Sequence, residues 1–253
     1  MKWSLFFLSI FSCVTGEIRE IQTIAEFKNH LDPDALVLFD IDNTIMETTQ
    51  TLGSDQWFTH RRNDYETRGY PAVEALENAL AEWMSIQNLT KVQIVEKETA
   101  DLIRGLQEEG QTLMGLTTRG MGLALRTIEQ LKTLHVDLTK TSPLKEEQLL
   151  QGGAVLFRQG ILFTAGTDKG KAFLALFKDK LPQKVLFIND KASHLKEVER
   201  ACEQAKIPFI GLRYGFLDEK VKRFSHEIAA IQWEHFGKLL SDEETATILN
   251  LSN

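Results

Sequence analysis

The stretch LVLFDIDNTIM, Leu36 to Met46, sets four apolar residues directly against two aspartates spaced two apart. An apolar run without polar alternation, followed by polar and turn-prone residues, reads as a short strand buried on both faces, the kind that fills a parallel sheet. Asp40 and Asp42 then stand at its exit. Side chains two apart on an extended segment share a face at roughly 7 Å, so the spacing predicts that both carboxylates reach one small volume.

Working outward, the same pattern returns. TLMGLTTRG is an apolar strand ending in Thr117, Thr118 and Arg119, KVLFIND is one ending in Asn189 and Asp190, and IPFIGLRYG supplies another. A helix of apolar period covers Leu123 to Leu134, and HVDL after it reads as a further strand. In TDKGKAFLALF, Lys169 and Gly170 open a helix that Thr167 or Asp168 can cap. KASHLKEVERACEQA is helical, as is KVQIVEKETADLIRGLQEEG, which stops at Gly110. Short apolar strands alternating with helices predict an α/β fold with a doubly wound parallel sheet. In AVLFRQGILFTAG two apolar runs flank a turn, which predicts a β-hairpin excursion standing off that sheet.

The segment 47–89 reads as helical throughout and forms an insertion, so the core domain is expected over 17–46 and 90–253. Residues 1–16, MKWSLFFLSIFSCVTG, have the charged start, apolar middle and small-residue end of a signal peptide. Its apolar part is shorter than the ~20 residues a bilayer crossing takes. The chain is therefore expected to be exported, to the periplasm or the cell envelope, without a transmembrane span. Cys13 is a candidate lipid-attachment site, and Cys202, the other cysteine, sits in a helical pattern as core.

The 253 residues carry a formal net charge of −7 and a pI near 5.5, with 43% hydrophobic residues. Such a chain lacks the basic face that nucleic-acid binders show, so no nucleic-acid partner is expected. The six histidines show no pair at zinc-ligand spacing. GTDKGKA has neither the glycine spacing of a P-loop nor a Ser or Thr after Lys171.

In open α/β sheets ligands bind beyond the carboxyl ends of the strands. Three such ends carry Asp40 with Asp42, Thr117 with Thr118, and Asn189 with Asp190, and Lys169 opens a helix between the last two. Clustered carboxylates repel unless a cation neutralises them, and hard oxygen ligands suit Mg²⁺. A lysine and threonine hydroxyls beside a metal suit a phosphate. Taken singly, each residue has a plainer reading: the aspartates as strand-end caps, Thr117 bonded to backbone, Lys169 as a solvated first-turn residue, and Asn189 or Asp190 as a helix cap.

DIDNT, Thr117 at a strand end, Lys169-Gly170 and a strand ending in an acid, in this order, resemble the four motifs of the haloacid dehalogenase superfamily over about 36–214. The resemblance implies a Rossmann-like core with the 47–89 insertion as a helical cap. It implies Asp40 as the nucleophile that takes a phosphoryl group, Asp42 as acid and then base, and Thr117, Thr118 and Lys169 as phosphate holders. Mg²⁺ would be held by Asp40, the Asp42 backbone carbonyl and Asn189 or Asp190. An acid two residues after the nucleophile marks the phosphatases of the superfamily, so the implied activity is hydrolysis of a small phosphomonoester through an aspartyl-phosphate, as in exported acid-phosphatase-type members. IND stands where paired acids are usual, which leaves open whether Asn189 or Asp190 meets the metal. It also leaves open a binding or surface-interaction protein with lost or weakened catalysis.

Overall fold

Why the fold centres on residues 35–39 is seen in their burial: ALVLF forms a strand in which no residue is more than slightly exposed. The computed structural model describes residues 16–236. Cys13 and, apart from Gly16, the signal-peptide segment lie outside the described residues. In chain order the described elements are β1 (Glu17–Ile21), β2 (Ala35–Phe39), β3 (Met46–Thr48), α1 (Asp55–Thr67), α2 (Ala72–Leu89), β4 (Val92–Ile94), α3 (Thr99–Glu108), β5 (Leu113–Thr117) and α4 (Ala124–Thr133). There follow β6 (Gln148–Leu150), β7 (Val155–Arg158), β8 (Ile161–Phe163), α5 (Lys169–Leu176), β9 (Lys184–Asn189), α6 (Ala192–Ala205), β10 (Phe209–Tyr214), α7 (Asp218–Lys222) and α8 (His226–Glu234).

Eight strands make one sheet in the order β1-β10-β9-β2-β5-β8-β7-β6, parallel from β1 through β8. The side chains of β2 divide between two cores. Val37 and Phe39 pack with Leu186 and Ile188 of β9 against Leu102, Ile103 and Leu106 of α3 and Ile128 and Leu131 of α4. Leu36 and Leu38 pack with Val185 and Phe187 against Phe173 and Leu176 of α5 and Leu195, Val198 and Cys202 of α6. Helices thus cover both faces, and the fold is the doubly wound α/β architecture read from the sequence. Cys202 is free and buried, and burial pushes its thiol up to about 12, the behaviour of a core residue.

Four elements differ from the reading of the sequence. The hairpin does not stand off the sheet: β8 pairs parallel with β5, and β7 and β6 extend the sheet antiparallel beyond it. β8 is buried at every position, so it has no polar face to leave in water. Its turn places Gln159 and Gly160 in the left-handed region, and a Cβ on Gly160 would lie 2.1 Å from the Leu138 carbonyl oxygen. HVDL is not a strand. His135 takes a positive φ of 59° after α4, and Val136 and Leu138 turn into the core, while β8 occupies the place beside β5. KVQI is a strand rather than the start of a helix, because β4 pairs antiparallel with β3. Finally, EIREI forms β1, an edge strand parallel to β10.

The described residues divide into two compact units, 16–49 with 87–222, and 50–86 with 223–236. The smaller unit contains α1, most of α2 and α8, so the described residues 223–236 group with the insertion rather than with the core, where the sequence reading placed them. Within that unit Trp57 is buried and packs on Trp233 at 5.6 Å between ring centroids. Ala75, Ala79, Trp83 and Ile86 form the buried face of α2, and Leu76 and Leu80 are exposed on its flank. Arg61 makes a forked pair with Glu82 at 2.7 and 2.8 Å, and Glu82 also accepts from the Tyr65 hydroxyl at 2.7 Å.

Candidate active site

β2 lies between β9 and β5, so the exits of the three strands that carry the candidate residues are neighbours. The backbone N–H of Asp40 donates to the Ile188 carbonyl of β9 at 3.0 Å, which fixes the first residue past β2 against the next strand. Its carboxyl is almost wholly buried.

Lys169 reaches Asp40 from α5. Asp168 caps that helix by accepting from the Lys171 N–H at 2.9 Å, and the Lys169 N–H donates to Glu197 of α6 at 2.8 Å. Gly170 is required by space: a Cβ there would lie 2.1 Å from the Glu197 carbonyl oxygen. With α5 seated so close to α6, the fully buried Lys169 side chain donates to Asp40 Oδ1 at 2.6 Å and to the Leu116 carbonyl of β5 at 3.0 Å. Its ammonium also stands 5.5 Å from the centroid of the Phe187 ring. Burial pushes the Asp40 carboxyl above the ordinary range, against the pull of the Lys169 charge and hydrogen bond, and the charge of Asp42 adds to the rise.

Regular strand ends at Phe39, and Asp42 lies in the turn that follows, where Asn43 adopts a positive φ of 59°. Asp42 therefore meets Arg119, whose Nε and Nη2 donate to its two carboxylate oxygens at 2.8 and 2.7 Å. Arg119 is buried, held also by Thr127 and Gln130 of α4 and by Gln87. Its backbone N–H donates to the Thr117 hydroxyl at 3.1 Å.

Thr117 is buried at the end of β5, whereas Thr118 is exposed. Asn189 is fully buried, and its Oδ1 accepts from the Lys191 N–H at 2.8 Å. Its Nδ2, a donor, has no hydrogen-bond partner among the described residues. Asp190 is tied to the loop after β2: its N–H donates to the Thr44 hydroxyl at 3.2 Å, and its Oδ2 accepts from Asn43 Nδ2 at 3.4 Å. Asn43, Thr44 and Arg119 are thus site residues that the sequence reading did not single out. The signal was present in the polar residues directly beside the aspartates and beside Thr117.

A magnesium ion fits this donor set. Asp40 supplies a carboxylate oxygen, Asp42 a backbone carbonyl, and Asn189 Oδ1 or the Asp190 carboxylate an oxygen at the β9 exit. Among the described residues no three His, Cys, Asp or Glu side chains form a ready metal cage.

No helix among the described residues is long and apolar enough to cross a membrane. A relative named "Putative outer membrane protein" of Chlamydia pneumoniae is 28% identical over 259 residues, covering 98% of each chain. Among solved structures the chain is similar to a haloacid dehalogenase-like family hydrolase from Streptococcus pneumoniae (11% identity, 70% of this chain and 93% of that one, TM-score 0.40). It is also similar to the class C acid phosphatase of Bacillus anthracis (14% identity, 85% of each chain, TM-score 0.36). The match that spans the strand exits and both units is to a sequence family: over residues 16–246 the chain belongs to the family described as "Protein of unknown function (DUF2608)".

Proposed function

We propose that this protein is a Mg²⁺-dependent phosphatase of the haloacid dehalogenase type that hydrolyses a small phosphomonoester through an aspartyl-phosphate on Asp40. The observation that carries the reading is the buried Asp40–Lys169 pair at the exit of the central strand, with Asp42 two residues on. A carboxylate and an ammonium so fully removed from water are expensive to bury for stability alone. The C. pneumoniae relative's name and the leader-like residues 1–16 support an exported, envelope-associated location.

In the first half-reaction an Asp40 carboxylate oxygen forms a bond to phosphorus as the ester O–P bond breaks, and the departing oxygen takes a proton from Asp42. In the second, Asp42 takes a proton from water as the water oxygen bonds to phosphorus and the Asp40 carboxylate departs. Lys169 holds Oδ1 of Asp40 throughout, so that Oδ2 faces the phosphorus, and the Thr117 hydroxyl binds a phosphoryl oxygen. A bound Mg²⁺, held by Asp40, the Asp42 carbonyl and Asn189 or Asp190, would neutralise charge between the carboxylates and the phosphoryl oxygens.

The test is hydrolysis of p-nitrophenyl phosphate by the protein with Mg²⁺, with EDTA, and as Asp40→Asn. Turnover that needs the metal and falls by at least about a thousandfold in the variant is expected. A second reading, a protein of this fold that binds without turnover, is favoured by the neutral amide of Asn189 at the β9 exit. A folded wild type that is inactive toward phosphate esters and takes up no Mg²⁺ by calorimetry selects it.

A further inference from the structure

We infer that Arg119 is the positioning residue of Asp42, setting how effectively that carboxyl gives its proton to the leaving group; the inference rests on the phosphatase reading. A guanidinium has five N–H donors in one plane, and in Arg119 all five are engaged. Nε and one Nη2 hydrogen take the two oxygens of Asp42 at 2.8 and 2.7 Å. Nη1 takes Thr127 Oγ1 at 3.1 Å and Gln130 Oε1 at 2.8 Å, and the second Nη2 hydrogen takes Gln87 Oε1 at 3.0 Å.

The Arg119 side chain is 1% exposed and that of Asp42 25% exposed. The guanidinium is therefore closed off from a substrate, while the Asp42 side chain is partly open to solvent. Each carboxyl oxygen has two acceptor positions; the fork occupies one on each and leaves the other for a proton. Because the guanidinium cannot rotate without breaking its bonds to Thr127, Gln130 and Gln87, the plane of the Asp42 carboxyl is fixed with it. The Arg119 N–H on the Thr117 hydroxyl ties the same residue to the phosphate-binding threonine. Lysine keeps the charge but presents a point rather than a fork, so it can pair with Asp42 without setting its plane.

Leaving groups differ in how much they need the proton. An aryl phosphate expels a stable phenolate, whereas an alkyl phosphate expels an alkoxide that must be protonated. Arg119→Lys is therefore assayed with p-nitrophenyl phosphate and glycerol 3-phosphate as probes. The expected result is a kcat/KM on the alkyl ester lowered by about tenfold or more, within the range of general acid catalysis. On the aryl ester kcat/KM, which reports phosphoryl transfer to Asp40 and not the later hydrolysis that both esters share, falls by less than about threefold. An equal fall on both esters, or none, overturns the assignment while leaving the phosphatase reading in place. A wild type that hydrolyses neither ester removes the phosphatase reading, and the role of Arg119 with it. If Arg119→Lys does not fold, Gln130→Leu replaces it, because it loosens the guanidinium without touching Asp42; the same asymmetry between esters is expected at smaller size, and its absence overturns the inference.

Discussion

The two flanks of β2 are finished differently. On the β5 side Arg119 uses every guanidinium donor, and the Thr117 hydroxyl accepts from its backbone N–H. On the β9 side Asn189 is as deeply buried, yet its Nδ2 has no hydrogen-bond partner among the described residues. Buried polar groups are normally satisfied, so an unpaired donor at a strand exit marks a place where another group arrives. The contrast separates a flank built to hold a side chain in place from one left open to a ligand.

The contrast is broken or sharpened by three measurements. The largest effect is expected for Arg119→Met on the β5 side. It strips the fork from Asp42 and takes from the buried Gln130 Oε1 its Arg119 donor, at a cost of about 3–5 kcal/mol in urea unfolding; a loss below about 1 kcal/mol would show that this flank is not held by the fork. Next comes Asn189→Asp on the open flank. A second buried acid near Asp40 is expected to cost about 1–3 kcal/mol in EDTA, and millimolar Mg²⁺ should recover it by binding the folded form. Thermal melts identical in EDTA and Mg²⁺ would remove the open flank from the metal site.

The smallest effect concerns His194 on α6, whose buried Nδ1 has no partner among the described residues. Burial, with the nearby charges of Lys169 and Lys191, pushes it down from 6.5 to about 3. The unfolded chain binds the proton through that window and the folded chain does not. Stability therefore rises with pH from about 3 to 6.5 and falls on acidification, and His194→Gln should flatten this part of a melting-temperature profile. An unchanged slope would place the acid sensitivity elsewhere.

Much of this was legible in the chain because the central strands are apolar runs that stop abruptly. β2, β5, β9 and β10 each announce their exits, and with them Asp40, Thr117, Lys169 and Asp190. Edge strands are harder. EIREI in β1 has one fully buried residue, so hydrophobicity does not mark it, and only pairing with β10 makes it a strand. The hairpin was recognised by its turn, but whether its apolar outer strand joins the sheet is decided by which neighbour is free, a tertiary matter. The pairing of Asp42 with Arg119, 77 residues on in the chain, was hidden for the same reason.

Lys169 does two things at once. By donating to Asp40 and to the Leu116 carbonyl, it stitches the loop after β2 to the neighbouring strand β5 from beneath. A descendant that abandoned turnover would still need that stitch, since deleting it strands a buried carboxyl. Retention of the lysine in a related chain therefore reports on folding as much as on chemistry. The diagnostic tied more closely to proton transfer is the acid at position 42 together with its fork.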